Sequence, residues 1–320
     1  MSSFADPVDL VREEGPAGIA VARFGLRAHP PFDTPGLFRY FETHAVPGLE
    51  SWTEQGFARA MRLPLGMATV TLAPTGEVDS PGVSVSARLS HADDLPELIR
   101  RVRRLCDLDA RPDVIDDALA EDAVLAPAVR RTPGVRIPGS PDPHETLFRT
   151  VLGQQISIAA ARTVQGRLAV ALGDPLPEAL AGDVTHVFPS AERIAERGRE
   201  VLRGPARRID SMMLAAASLA SGAVRVDEAV EGPELRRSLV ALPGIGPWTA
   251  DYLAMRVLRD TDVLLATDLV VRQAATRLGL PTAPVQLAAR GGAWSPWRSY
   301  ATLHLWRTIT DPPPDYAEAS

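Results

Sequence analysis

The 320-residue sequence contains a single cysteine, Cys106, and no lysine. One cysteine excludes a disulfide framework, a zinc site built from several cysteines and a cysteine-ligated iron–sulfur cluster. Because all 34 basic side chains are arginine, no lysine of this chain can form a Schiff base with a substrate. The six histidines are scattered without metal-ligand spacing, so we expect no catalytic metal.

Long apolar runs and a secretory signal are also missing. No run reaches the roughly 18 residues needed to cross a membrane, and the first residues, MSSFADPVDL, have no basic region ahead of an apolar one. We therefore expect a cytoplasmic protein that makes no membrane contact. The net charge is −6, with 34 basic against 40 acidic residues, but residues 1–126 carry −8 and residues 127–320 carry +2. This asymmetry indicates two parts with different partners.

The first third of the chain has the pattern of a small α+β unit. The β-like runs Met67–Leu72 and Val83–Leu89 flank a turn-rich stretch, Pro74–Gly82. Thr34 as the N-cap, followed by proline, predicts a helix over Pro35–Ala45. The runs and the helix together favour an antiparallel sheet domain.

Helical periodicity dominates from Leu95 onward. The apolar residues of Leu95–Leu108 recur on one stripe. Further helices are predicted over His144–Leu172 with a break at Gly153, and over Ser190–Glu200, Pro205–Ser221, Pro233–Leu239, Trp248–Leu258, Leu269–Leu278 and Ser299–Thr308.

A glycine-rich turn, Leu242–Gly246, separates two of these helical patterns. Such a turn exposes backbone N–H groups at a helix N-terminus, which is an anion site suited to a DNA phosphate. The site needs no basic side chain, so an acidic protein can use it. A Gly-x-Gly turn alone is equally typical of a plain helix-packing joint, but the longer string LPGIGPWTA is more specific.

This string, with an aspartate 20 residues past its tryptophan, resembles the helix-hairpin-helix base-excision DNA glycosylases, and within them the 3-methyladenine DNA glycosylase II family. Thr132–Leu168 is similar to the start of that family's central helical domain, and Trp297–Trp306 to its C-terminal helix. Leu37–Trp52 is more loosely similar to its N-terminal domain.

The resemblance implies an α+β fold in which an N-terminal antiparallel sheet domain precedes two mainly helical subdomains that carry a helix-hairpin-helix motif. The expected division is a leader over 1–18, a sheet domain over 19–112, a central helical domain over 143–260, a discontinuous helical domain over 113–142 plus 261–310, and a tail over 311–320.

The resemblance implies that Asp268 is catalytic. A carboxylate there would stabilise the positive charge that develops on the sugar as the N-glycosidic bond breaks, and it could orient or deprotonate the attacking water. Asp268 also precedes the helical pattern LVVRQAATRLGL, so the residues alone favour a helix N-cap. Trp248 stands where lyase-competent relatives carry a nucleophilic lysine, which implies hydrolysis without lyase activity.

The resemblance also places Trp248, Tyr252 and Trp306 around a base pocket, where flat rings replace the stacking lost by a flipped base. Ordinary aromatic core is the alternative for all three. Gln154 and Gln155 lie in the expected wedge loop, which fills the gap left in the duplex. One well-known family pattern has leucine in place of Gln155, and helix capping is the alternative role of this loop.

The remaining implied contacts concern DNA. Gly244, Gly246 and Thr249 are expected to bind a DNA phosphate, and the backbone carbonyls of Leu242 and Ile245 a monovalent cation; no cofactor is required. Two arginine-rich stretches, 127–167 with a charge of +4 and 193–210 with +3, are expected to supply local affinity.

The implied function is removal of alkylated bases, of the 3-methyladenine and 7-methylguanine type, from duplex DNA by a monomeric protein associated with the nucleoid. A cationic methylated purine is a good leaving group, so one aspartate could suffice without a general acid. A glycosylase for deaminated or oxidised bases and a non-catalytic protein that binds damaged DNA are the alternatives.

Overall fold

The computed structural model describes residues 4–311. Its N-terminal part is a six-stranded antiparallel sheet with the strand order β1-β2-β6-β5-β4-β3. The strands are β1 (Val8–Glu14), β2 (Ala20–Arg27), β3 (Glu50–Thr53), β4 (Gly56–Arg62), β5 (Met67–Glu77) and β6 (Ser80–Leu89). The predicted antiparallel sheet domain is thereby confirmed.

Two helices build the core of this domain. Helix α1 (Thr34–His44) connects β2 to β3 at the opposite edge of the sheet, and α2 (Leu95–Leu105) follows β6. Apolar side chains of both helices share one buried cluster with alternate residues of the central strands, because successive side chains of a strand point to opposite faces. The second face of the sheet is covered by residues 176–187, whose apolar side chains pack on Ala58 and Ala60.

The remaining regular elements of the described chain are helices, joined by non-helical segments such as 173–190. The helices are α3 (Pro112–Ala120), α4 (Ala126–Arg131), α5 (Pro143–Gly153), α6 (Ile158–Leu172), α7 (Ala191–Val201), α8 (Ala206–Ala220), α9 (Gly232–Val240), α10 (Pro247–Leu253), α11 (Leu269–Arg277), α12 (Pro284–Arg290) and α13 (Arg298–Thr310). A π-helical stretch, Ala254–Leu258, continues α10. Among these helices, none is long and apolar enough to span a membrane.

Contacts distant in sequence join the segment after α3 to the C-terminal helices. The carboxylate of Asp122 accepts a hydrogen bond of 2.8 Å from the Trp294 indole and pairs with Arg290, and α4 packs against α13. Asp122 and α4 therefore contact residues beyond 261. The limits of the predicted domains stay predictions.

The expected leader over 1–18 is wrong for residues 8–14, which form β1 at the edge of the sheet. Most side chains of this strand are exposed, so it has no apolar alternation from which to predict it. Backbone hydrogen bonds to β2 and the exposed Arg23–Glu13 ion pair hold it. The predicted tail lies outside the described residues except for Asp311, which pairs with Arg307 at the end of α13.

Other boundaries also differ from prediction. The turn expected over Pro74–Gly82 is much shorter, since β5 and β6 continue to within two residues of each other. Helix α1 is capped by Asp33 rather than Thr34, because the Asp33 carboxylate accepts the Gly36 N–H at 3.1 Å. The short helices α3, α4 and α12 were not predicted.

Candidate active site

Asp268 caps α11 and is partly buried. Its Oδ1 accepts the backbone N–H groups of Val270 at 2.9 Å and Val271 at 3.0 Å. Two indoles also donate to the carboxylate: Trp306 Nε1 to Oδ1 and Trp248 Nε1 to Oδ2, each at 3.0 Å. The capping role that the residues alone favour is therefore present, and the helix N-terminus favours the negative charge. Among the described residues, Oδ2 accepts one hydrogen bond, so it has more capacity for a further donor than Oδ1.

The three predicted pocket aromatics lie together beside this carboxylate. Trp248 and Tyr252, one turn apart on α10, stack with centroids 5.2 Å apart and planes within 10°. Trp306 comes from α13, and its ring lies 6.5 Å from that of Tyr252. Burial raises the pKa of the Tyr252 phenol, so this ring stays neutral. The structure thus brings Asp268 and the three rings together from three helices.

The aromatic wall continues into residues that the sequence did not single out. The guanidinium of Arg256 lies 5.3 Å from the Tyr252 ring centroid and 4.7 Å from that of Tyr40, to whose hydroxyl it donates. Tyr40 stacks in turn on His44, with centroids 4.1 Å apart. We call the series Trp248, Tyr252, Arg256, Tyr40 and His44 the stacked column. It runs from the helical part of the protein to α1 of the sheet domain.

The far end of the stacked column is uncharged at neutral pH. Burial, aided by the positive charges of Arg256 and Arg149, lowers the pKa of His44 to about 4, although its hydrogen bond to the Tyr40 carbonyl opposes this. His44 is therefore neutral near pH 7.

A buried ionic cluster lies beside this end of the column. We name it the four-charge cluster: Glu50, Arg59, Glu145 and Arg149. Arg59 reaches Glu50 at 2.7 Å and Glu145 at 3.0 Å, and Arg149 reaches the same two carboxylates at 3.0 and 2.9 Å. Burial alone would raise the pKa of Glu50, but the two guanidinium groups outweigh it and lower that pKa. The cluster ties β3 and β4 to α5.

The predicted wedge residues follow α5 and point in different directions. Gln155 is exposed and has a left-handed backbone, φ 61°. Gln154 is turned inward: its side-chain amide donates to the Thr249 hydroxyl at 3.2 Å, and its carbonyl accepts from Arg208 at 2.8 Å. In this geometry Gln154 supports the loop, and only Gln155 projects from it.

The hairpin turn between α9 and α10 contains both predicted glycines. Gly244 has φ +83°, and a Cβ there would lie 2.2 Å from the Ser211 hydroxyl, so only glycine fits. Gly246 caps α10 and borders open space.

Thr249 corrects the prediction for this hairpin. The residue is 2 % exposed and its hydroxyl contacts Gln154, so its side chain is unavailable to a phosphate here. At the expected cation site, the Leu242 carbonyl already accepts the Ile245 N–H at 3.1 Å. Only its second lone pair could face a cation.

The arginine-rich stretches are less available than their sequence suggests. In the first stretch, 127–167, Arg136 and Arg149 cannot reach DNA, because Arg136 is buried against backbone carbonyls and Arg149 belongs to the four-charge cluster.

In the second stretch, 193–210, three side chains are paired with nearby carboxylates: Arg193, Arg197 and Arg199. Arg203 and Arg207 are exposed, close in sequence to the Arg208 that holds the wedge loop.

Comparison with known proteins identifies the family. The family model of the AlkA N-terminal domain matches residues 23–142. A Mycobacterium tuberculosis protein described as "Probable bifunctional transcriptional activator/DNA repair enzyme AlkA" is 41 % identical over 92 % of this chain, which spans 58 % of that relative's length. DNA-3-methyladenine glycosylase 2 of Escherichia coli is 28 % identical over 89 % of this chain and 97 % of its own.

A further relative and a solved structure are also similar to this chain. DNA-3-methyladenine glycosylase 1 of Schizosaccharomyces pombe is 30 % identical over 52 % of this chain and 72 % of its own. The fold matches the solved 3-methyladenine DNA-glycosylase of Archaeoglobus fulgidus with a TM-score of 0.74 at 19 % identity, over 88 % of this chain and 97 % of that one. The chain therefore belongs to the 3-methyladenine DNA glycosylase II family of the helix-hairpin-helix DNA glycosylases.

Proposed function

We propose that the protein is a monofunctional DNA glycosylase that excises alkylated bases, of the 3-methyladenine and 7-methylguanine type, from duplex DNA. The observation that carries the proposal is the Asp268 carboxylate, fixed by two indole N–H groups and the N-terminus of α11 beside three aromatic rings. The relatives named for this activity support it.

The proposed reaction needs only water and this carboxylate. The bond between C1′ of the sugar and the base nitrogen breaks, and its electron pair leaves with the base, so a cationic methylated base departs neutral. Asp268 stabilises the positive charge left on the sugar. Water then attacks C1′ and loses a proton, near Asp268 Oδ2, to leave an abasic site. Without lysine, no imine with the sugar forms at a lysine side chain.

The pocket suits a flipped base. The indole N–H groups of Trp248 and Trp306 donate to different oxygens of the catalytic carboxylate. Electron-rich rings attract a cationic base by roughly 0.5–2 kcal/mol each. The same hydrogen bonds orient the two rings and hold the carboxylate at their edges, beside the ring faces on which a base would stack.

Three features would hold the DNA. The backbone of the hairpin at Gly244 and Gly246 would bind a phosphate, and Gln155 would fill the gap left by the flipped base. The exposed Arg203 and Arg207 would contact a strand.

A monovalent cation on the carbonyls of Leu242 and Ile245 would attract the same phosphate by its charge. We propose no other cofactor, a monomeric protein, and the nucleoid as its place of action.

The test is release of free bases from methylated duplex DNA, measured by chromatography. The parent should release methylated purines and leave a strand that breaks only after alkali treatment, whereas Asp268→Asn should release almost none. Asp142→Asn is the matched control, since Asp142 caps α5 by accepting the Glu145 N–H at 2.9 Å and touches no pocket ring. DNA binding without release by the parent would support the non-catalytic alternative, and release from hypoxanthine-containing DNA alone would support a glycosylase for deaminated bases.

A further inference from the structure

The stacked column, which forms the wall beside the proposed base pocket, contains one charged side chain that is buried without an ionic partner among the described residues, Arg256. It is 5 % exposed, and its Nε and Nη1 atoms are buried without a hydrogen-bond partner. No carboxylate of residues 4–311 pairs with it, whereas the nearby Arg59 and Arg149 each contact two. A buried guanidinium without an anion is costly, so its retention calls for a reason beyond stability.

The surroundings of Arg256 are aromatic rather than acidic. Its guanidinium lies between the rings of Tyr252 and Tyr40, and the Tyr40 hydroxyl accepts its one side-chain hydrogen bond among the described residues. It belongs to the π-helical stretch Ala254–Leu258, a rare geometry often found at functional sites. The pocket wall therefore combines aromatic rings, which attract cations, with the fixed positive charge of the Arg256 guanidinium.

We propose that Arg256 is a specificity-determining residue of the base pocket, because its uncompensated positive charge disfavours cationic damaged bases relative to neutral bases of the same shape. This inference rests on the proposed function. Arg256 already occupies the π-system of Tyr252, and it repels any second cation that stacks in the pocket. With a charge separation of about 10 Å and an effective dielectric of about 20, the repulsion lowers the relative affinity for the cation by about tenfold.

The test compares two duplexes that differ only in charge. One contains 7-methylguanine, which is cationic as a nucleotide, and the other contains its uncharged 7-deaza analogue with the same methyl group. Binding of both is measured by fluorescence anisotropy in an Asp268→Asn background, so that neither base is released. Arg256→Met should shift the ratio of the two affinities about tenfold toward the cationic base. Arg256→Lys should leave the ratio within about threefold of its parent at a pH low enough to keep the lysine protonated, because burial lowers the pKa of a lysine without an anion.

Arg256→Gln is the second variant without the charge and keeps a polar head for Tyr40. Thermal melting establishes that each variant is folded. A folded Met or Gln variant whose ratio equals that of the Arg256 parent would overturn the inference and leave Arg256 with a packing role, since loss of packing weakens both duplexes alike. If the Asp268→Asn parent bound neither damaged duplex better than undamaged DNA, and the active protein released no base, the proposed function itself would fall.

Discussion

Substitution of Arg59 by methionine should destabilise the protein far more than an ordinary surface change. Arg59 is 2 % exposed and lies 2.7 Å from Glu50 and 3.0 Å from Glu145. Methionine fills much of the volume but leaves two buried carboxylates with Arg149 as their remaining partner in the four-charge cluster. Breaking a buried ion pair from one side typically costs about 3–5 kcal/mol, because a charge stays buried without compensation. We expect a loss of this size in the free energy of unfolding.

Urea unfolding followed by circular dichroism at pH 7 measures this loss. Arg23→Met is the control, because Arg23 pairs with Glu13 at 3.0 Å on the exposed edge of the sheet and should cost at most about 1 kcal/mol. Adding Glu145→Gln to Arg59→Met should recover part of the loss by removing one buried charge. A cost for Arg59→Met no larger than that for Arg23→Met would refute the reasoning.

The same experiment has a defined pH dependence. Burial raises the pKa of Glu50, but Arg149 and Arg59 more than offset this, so its folded-state pKa lies below the usual 4.5. Its contribution to stability is therefore present above about pH 4.5 and is lost as the pH falls through the folded pKa. The difference between the parent and Arg59→Met should shrink in acid.

Three further predictions concern single positions. Gly244→Ala should lower the free energy of unfolding by about 1–3 kcal/mol, and with it the melting temperature, because its Cβ would meet Ser211 at a positive φ. Gly246→Ala should be nearly neutral, because nothing lies near its added Cβ. Equal melting temperatures of the two variants would contradict this. Gln155→Gly should raise stability by up to about 1 kcal/mol by relieving its left-handed φ, yet lower base release at least tenfold, as single-turnover assays would show. Burial lowers the pKa of His304 to about 4, so stability should fall as the pH drops from 6.5, and His304→Met should reduce that fall in urea titrations between pH 6.5 and 5, with His44 accounting for a remaining part.

The family and the outline of the fold could be predicted from the sequence, because the signals for both lie in short, contiguous segments. The hairpin string and the spacing from Trp248 to Asp268 are contiguous signals, and the helices of the second half show strong apolar periodicity. The predicted family and α+β fold are confirmed. Strand β1 was missed because its side chains face solvent, and the cover over the second sheet face was missed because residues 176–187 lack regular periodicity.

The extension of the pocket wall could not be predicted from spacing. Tyr40 and Arg256 are 216 residues apart and meet only when α1 docks on the π-helical stretch. Arg256 lies four residues after Tyr252 on the same helical face, which is a weak signal in retrospect. For Thr249 the sequence signal was misleading: its place in the motif predicted a phosphate contact, but Gln154 covers its side chain.

The stacked column crosses from the sheet domain to the helices, with Tyr40 and His44 on one side and Arg256, Tyr252 and Trp248 on the other. The pocket wall is therefore built from residues of both the sheet domain and the helical part, and neither part supplies all of its side chains. Partial unfolding of the sheet unit would remove one end of the wall while α10, α11 and α13 still held Asp268. Base release should then vanish at a lower urea concentration than the helical circular dichroism signal, so that enzyme activity reports on the docking of the two units.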